Sequence, residues 1–286
     1  MVNKNKENIH IKVKDFSVSG EVFDLEANQE FGFLETTPQP ASDKLSDYYK
    51  SDDYISHTNS KRNLFEKVYH IVRRISVIQK LKLINSFSSS GKTLLDVGCG
   101  TGDFLQVAKN NHWEIFGIEP NQEARTIANI KTDNAVFNAE KLSEFESKSF
   151  DVITLWHVLE HLPNLEEKIT VFKKLLKPQG VLIIAVPNYK SYDATYYKEF
   201  WAAYDVPRHL WHFNKVSISK LFLKVSMQVT SIKPMYFDAF YVSILSEKYK
   251  NGKMNFFKGF WLGLISNVKA IQTKEASSLI YVIKNK

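Results

Sequence analysis

Leu94-Leu95-Asp96-Val97-Gly98-Cys99-Gly100-Thr101-Gly102 is the stretch on which the reading of this chain turns. The first four residues read as a buried strand ending near an aspartate, and three glycines follow at alternate positions. Glycine lets the backbone turn tightly and lets a ligand approach it closely. Phe104 to Asn110 reads as the helix beyond the turn, whose N–H groups can receive a carboxylate or other anion. Ile115 to Ile118 is the next strand, and Glu119 ends it, 17 residues after Gly102. An acidic side chain there can accept hydrogen bonds from both hydroxyls of a ribose. A dinucleotide fingerprint, Gly-x-Gly-x-x-Gly, fits less well. Gly102 comes one place early and Asp103 would repel a pyrophosphate, so a nucleoside cofactor without phosphates suits the turn better. For the turn alone, a sharp loop with no ligand is the plain alternative.

Working outward, Gln122 to Asn129 and Leu165 to Leu176 read as helices. Ala135 to Phe137, Phe150 to Leu155 and Val181 to Val186 read as strands, with Lys177-Pro178-Gln179-Gly180 closing the second helix. Short apolar strands alternating with helices predict a parallel sheet with helices on both faces. Upstream, Leu64, Val68, Ile71, Val72, Ile75, Ile78, Leu81 and Leu83 recur near a 3.6 period, so residues 46–86 are expected to be helical. Ile9 to Val13, Val22 to Leu25 and Phe31 to Leu34 suggest a small β-meander, with Pro38 and Pro40 at its exit. Downstream, Ser217 to Val225 reads as helix, and Gln228 to Ile232 and Leu279 to Ile283 as strands. The organisation expected is a β-rich unit over 1–45, a helical connector over 46–90 and an α/β domain over 91–286.

The 286 residues are 44% hydrophobic and 24% charged, which excludes a disordered or collagen-like chain. One cysteine, Cys99, excludes an internal disulfide and a multi-cysteine zinc site. The polar, lysine-rich start has no apolar signal region. No run reaches the roughly 18 apolar residues of a membrane span, so a cytoplasmic protein is expected.

Asp96 to Phe104, Gly117-Ile118-Glu119-Pro120, Phe150 to Ile153 with Leu159-Glu160-His161-Leu162, and Leu176 to Val181 together resemble class I S-adenosylmethionine-dependent methyltransferases. The resemblance covers about residues 91–187 and is strongest to the branch of ubiquinone-biosynthesis-type O-methyltransferases. It implies a Rossmann-like, seven-stranded, mostly parallel sheet whose last strand, Leu279 to Ile283, is antiparallel. It implies that Gly98, Gly100 and Gly102 wrap the methionine part of the cofactor and that Asp96 helps hold its amino group. Glu119 would bind the ribose hydroxyls, with Pro120 near the adenine. Asn138 and Ala139 would line the adenine edge, Asn138 standing where relatives often carry aspartate. Trp156 and His157 would lie near the sulfonium. The β-rich start resembles a zinc-ribbon-like module without its cysteines. No metal is expected, since a structural zinc site wants four Cys or His ligands.

Methyl transfer needs a base only when the acceptor must lose a proton, and histidine titrates nearest neutrality. His157, His161 and His209 are the candidates, with a structural capping role as the alternative for Glu160-His161. Residues 188–214 are rich in aromatics and resemble a substrate-side segment of related enzymes. Within them Tyr204, Arg208, Trp211 and His212 are candidate substrate contacts, or simply a packed lid. The acceptor expected is a small or lipid-linked molecule methylated on oxygen, less readily nitrogen. Cytosine C5 methylation is excluded because Cys99 lies inside the glycine turn. A non-catalytic cofactor-binding protein acting through a partner and a dinucleotide oxidoreductase are the other readings.

The net charge of +7 is concentrated at the C-terminal end, where residues 246–286 hold eight lysines and two glutamates. A basic, aromatic insertion over 249–270 could lie on an anionic membrane surface or pack on the domain. A nucleic-acid partner would need a broader basic face and is not expected.

Overall fold

The computed structural model describes residues 9–41, 44–49, 64–87 and 91–286. Residues 50–63 and 88–90 of the expected helical connector, and residues 1–8, 42 and 43 of the expected β-rich unit, lie outside the described residues. The chain begins with three antiparallel strands, β1 (Ile9–Lys14), β2 (Val22–Ala27) and β3 (Leu34–Thr37). Asp15 makes the first turn by accepting hydrogen bonds from the backbone N–H groups of Ser17 (3.0 Å) and Ser19 (2.8 Å). The third strand starts at Leu34, later than the expected Phe31. The Asn28 side chain accepts from the N–H groups of Glu30 and Phe31, and Gly32 takes φ +81°, so this segment turns. Phe31 and Phe33 instead fill the main core. A distant two-residue strand, Trp211–His212, adds to the free edge of β3, pairing His212 with Leu34 and Trp211 with Glu35. The N-terminal sheet is therefore completed by the aromatic-rich 188–214 segment.

Helix α1 (Leu64–Asn85) leads to the central sheet. In order come β4 (Thr93–Val97), α2 (Asp103–Lys109), β5 (Glu114–Ile118), α3 (Gln122–Thr132), β6 (Val136–Phe137), β7 (Phe150–Trp156), α4 (Leu165–Leu175) and β8 (Leu176–Pro187). After them come α5 (Tyr192–Tyr197), β9 (the Trp211–His212 strand), α6 (Lys215–Lys224), β10 (Met227–Met235), α7 (Tyr236–Asn251), α8 (Phe256–Thr273) and β11 (Ser278–Asn285). The sheet order is β10-β11-β8-β7-β4-β5-β6, with β11 antiparallel to both neighbours and β4 through β8 parallel. Continuous burial along β7 and from Val181 to Val186 matches a sheet covered on both faces.

The segment Lys177–Gly180 is a bulge rather than a free turn. Phe150 pairs with Leu176 and Val152 with Val181, so four residues loop out between adjacent pairings. The expected 249–270 insertion is larger than its sequence signal, because α7 and α8 together occupy the whole connection from β10 to β11. A buried carboxylate ties it to the rest: Asp193 accepts from Trp201 Nε1 (2.7 Å), Ser266 Oγ (2.6 Å) and Ser277 Oγ (2.7 Å). No helix among the described residues is long and apolar enough to cross a membrane.

Candidate active site

The glycine turn sits where β4 ends, and all three glycines adopt left-handed φ: +72° at Gly98, +55° at Gly100 and +77° at Gly102. Their reasons differ. A Cβ at Gly98 would lie 2.4 Å from Val158 Cγ2, and one at Gly102 would lie 2.9 Å from Ala128 Cβ, so protein packing also demands glycine at both. A Cβ at Gly100 meets nothing within 4 Å, so there only the backbone conformation requires glycine, and the turn lies open. Glu119 reaches back from the end of β5. Its Oε2 accepts from Gly100 N (2.8 Å) and its Oε1 from Asn121 N (2.9 Å). An ionised carboxylate has about four lone-pair sites, so each oxygen can still accept another donor.

Asp96 is buried, and Thr154 Oγ1 donates to it at 2.6 Å. Burial raises its pKa to about 7, against the opposing pull of that hydrogen bond and of Lys80. Lys80 comes from α1, and its ammonium lies 4.6 Å from the centroid of the Trp156 ring. Arg73, two turns earlier on the same helix, donates to Thr101 Oγ1 (3.2 Å) and pairs with Asp103. Lys131 binds Asp103 from the other side at 2.6 Å. The expected repulsion between Asp103 and a pyrophosphate is thus largely offset by two cations. Pro120, Asn138 and Ala139 are exposed at the ends of β5 and β6. Asp96, Glu119, Asn138 and Trp156 therefore line up along the carboxyl ends of four adjacent strands.

Four histidines lie beyond this edge in very different states. His157, left-handed at φ +57°, lies with Nε2 3.0 Å from Asp238 and Nδ1 3.4 Å from Glu160. Burial alone would lower its pKa, but the hydrogen bonds and charges of Asp238 and Glu160 outweigh this and raise it to about 10. It is a cation at neutral pH. His161 Nδ1 lies 3.0 Å from both Tyr49 OH and the Arg208 carbonyl. His209 is buried, and its Nδ1 lies 2.9 Å from the Ala203 carbonyl, which assigns the proton to Nδ1 and leaves Nε2 as an acceptor. Burial, then the neighbouring His161, hold it well below the usual histidine range, so it is neutral. His212 faces Thr36 Oγ1 at 3.0 Å, and burial takes it down to about 3.

The rings of His161 and His209 meet edge to face at 4.6 Å. Glu160, His161 and His209 bring one potential ligand atom each to within 4.8 Å of one another, a spacing that could surround a cation. Both Glu160 oxygens are buried, and beyond the 3.4 Å contact with His157 neither has a close partner among the described residues.

The candidate substrate contacts mostly turn inward. Arg208 binds Asp205 (2.7 and 2.9 Å), Asp15 (3.0 Å) and the Tyr48 carbonyl (3.0 Å). Its charge is thereby committed to a bond between β1 and the 205–208 loop, rather than offered to an acidic substrate. Tyr204 is buried against Trp201 and His212. Trp211 donates from Nε1 to the Leu162 carbonyl (2.8 Å). Lys80, Arg73, Asp205 and Asp238 did not stand out in the sequence. Lys80 and Arg73 read as solvated positions of an amphipathic helix, and Asp238 lies 81 residues beyond His157 with no motif around it.

This sheet order, with a glycine turn and a strand-end carboxylate at its switch point, defines a class I methyltransferase fold. The methyltransferase domain family matches residues 62–232. The chain belongs to that family, within the class I S-adenosylmethionine-dependent methyltransferases. Among curated proteins it is similar to the ubiquinone biosynthesis O-methyltransferase of Photobacterium profundum, 31% identical over 111 residues, which is 36% of this chain and 47% of that one. The enzyme of the same name from Burkholderia vietnamiensis is 32% identical over 112 residues, covering 36% and 48%. The match spans about half the length of these relatives. Among solved structures, the magnesium protoporphyrin IX methyltransferase of Synechocystis shares the fold with a TM-score of 0.56 at 14% identity, over 86% of this chain and 100% of that one. A methyltransferase from Archaeoglobus fulgidus does so with a TM-score of 0.52 at 17% identity, over 78% and 100%.

The residues present fit S-adenosylmethionine. Asp96 is a buried carboxylate suited to an ammonium group, Glu119 keeps acceptor capacity for two hydroxyls, and Gly100 leaves open space beside them.

Proposed function

We propose that this chain transfers a methyl group from S-adenosylmethionine to an oxygen of a small or lipid-linked acceptor. The observation that carries the reading is the Glu119 carboxylate, held by Gly100 N and Asn121 N beside three left-handed glycines. The names of the curated relatives support oxygen as the acceptor atom. Asp96 would hold the cofactor's amino group, Glu119 the ribose, and Asn138, Ala139 and Pro120 the adenine side.

The cofactor supplies a methyl group on a positively charged sulfur, which leaves as a neutral thioether with the electron pair of the broken bond. The protein must aim the acceptor oxygen in line and exclude water. As the new carbon–oxygen bond forms, the acceptor's hydroxyl proton passes to His209 Nε2. Burial keeps that ring neutral beforehand, and Asp205, 3.9 Å from Nε2, stabilises the imidazolium that forms. His157 is already protonated, so it serves as a fixed positive charge that orients Glu160 and Asp238.

Calorimetric titration with S-adenosylmethionine and S-adenosylhomocysteine, on the wild type and on Glu119→Ala, tests the cofactor part. Each hydrogen bond to a carboxylate contributes about 1.5–3 kcal/mol at most, so binding should weaken by tenfold or more. A wild type that binds neither ligand would refute the proposal. His209→Gln should lower turnover of a phenolic acceptor by about 10²- to 10⁴-fold with cofactor affinity nearly unchanged. Unaltered turnover would remove His209 as the base.

A further inference from the structure

Helix α8 carries apolar residues on both faces. Its inward face holds Gly259, Leu262, Gly263, Ser266, Asn267 and Ala270, while Phe257, Phe260, Trp261, Ile265, Val268 and Ile271 recur at helical spacing along the outward face. Phe257 is 76% exposed, Ile271 61% and Val268 58%. The stripe from Phe257 to Ile271 runs for about 21 Å at 1.5 Å per residue. A surface helix ordinarily turns charged and polar residues outward.

The helix cannot rotate to hide this face. A Cβ at Gly259 would lie 2.6 Å from Ile244 Cα, and one at Gly263 would lie 2.8 Å from Phe240 Cα, so the α7 backbone occupies the space a side chain would need. Asn267 Nδ2 donates to the Tyr236 carbonyl at 2.8 Å, which locks the register. Contiguous exposed apolar surface of this kind marks an interaction site.

Charge indicates what covers it. Residues 248–274 contain six lysines and no aspartate or glutamate. Of these, Lys258 is paired with Glu247 at 3.0 Å and Lys250 and Lys269 lie over the Tyr196 and Tyr192 rings, while Lys253 is exposed at the turn entering α8 and Lys274 is exposed at its far end. Two copies of such a face would repel each other, whereas an anionic lipid surface is attracted by the lysines and accepts the aromatic stripe.

We propose that the outward face of α8 docks this protein on an anionic membrane surface. The first turn of α7 carries Asp238, which pairs with His157, and the C-terminal half of α8 lies beside that turn. Resting on the methyl-transfer reading, a lipid-linked acceptor is the substrate class that such docking would serve. Docking itself stands independently of that reading.

Vesicle co-sedimentation tests the proposal, comparing phosphatidylcholine alone with phosphatidylcholine containing phosphatidylglycerol. The full chain should bind the mixed vesicles and release them as salt is raised. The double variant Phe257→Gln/Trp261→Gln should bind about tenfold or more weakly, since each ring loses apolar contact. Its thermal unfolding and its S-adenosylhomocysteine binding should match the wild type, which separates this failure from failure of the fold or of the methyl-transfer reading. Should that variant instead misfold, Lys253→Glu, at an exposed turn, should still weaken binding to the mixed vesicles. Equal binding to neutral vesicles, full retention by a folded double variant, or absence of binding would each overturn the proposal. So would a dimer in solution that the double variant dissociates, because the face would then be covered by a second copy.

Discussion

Cofactor binding should depend on pH through Asp96. This carboxyl is buried at the end of β4, and burial lifts its pKa to about 7. A ligand ammonium beside it requires the ionised form. Above pH 7 the group is ready to bind; below, a proton must first leave. At pH 6 only about a tenth of the molecules are ionised there, so affinity should fall roughly tenfold, or about 1.4 kcal/mol, per pH unit below 7. At pH 7 binding should release about half a proton, because the bound ammonium pulls the carboxyl back into the ionised state. Calorimetry between pH 6 and 8, in two buffers of different ionisation enthalpy, reads both quantities. Asp96→Asn should bind more weakly and lose the pH dependence, which distinguishes Asp96 from titration of the ligand. Constant affinity across this range, with no buffer dependence, would refute the reasoning. The same group also makes the free protein less stable as pH rises from about 4 to 7. Over that range the unfolded chain, with an ordinary value near 3.8, has already lost its proton while the folded one has not.

His157 works with the opposite sign. Its folded pKa of about 10 lies above its ordinary 6.5, so its stabilisation is complete below about pH 6.5 and is lost as pH rises through 10. His157→Gln should flatten thermal stability between pH 7 and 10, and an NMR titration of the ring should show a midpoint near 10; a midpoint near 6.5 would sink this reading. Arg208→Met should cost about 3–5 kcal/mol in urea unfolding, because it strands the Asp15 and Asp205 carboxylates. Both carboxyls lie below their ordinary range: burial opposes ionisation, but the Arg208 charge and, for Asp15, backbone N–H groups more than offset it. Their stabilisation is present above that range and is lost in acid, and the variant should lose this acid dependence.

Much of the central sheet was legible because its signals are local. A run such as Leu94 to Val97 can only be a strand buried on both faces. The glycines that follow permit a turn that residues with a Cβ resist, and helix-period apolar spacing marks α4. Boundaries shifted where a side chain rather than propensity made the turn, as at Asn28, whose hydrogen bonds delay β3 to Leu34. Lys177 to Gly180 has the composition of a turn, and only the pairing of β7 with β8 shows that it bulges out between two paired positions. The alignment of Asp96, Glu119, Asn138 and Trp156 along one edge was legible for a related reason: in a parallel sheet, residues ending successive strands must share one edge.

The sequence by itself determined the alternation of strands and helices, the left-handed turn at Gly98, Gly100 and Gly102, and the placement of Asp96 and Glu119 at strand ends. These follow from backbone sterics and hydrophobic periodicity, which act over a few residues. Only the tertiary structure decided that His157 is a cation, that His209 is held neutral, that Arg208 is spent on Asp15 and Asp205, and that α8 turns its aromatic face outward. A charge or a proton affinity belongs to a neighbourhood, and those neighbours come from segments as distant as Asp15 and Arg208. The chain crossings that bring them together, not the local pattern, set the dielectric, the partners and the exposed face.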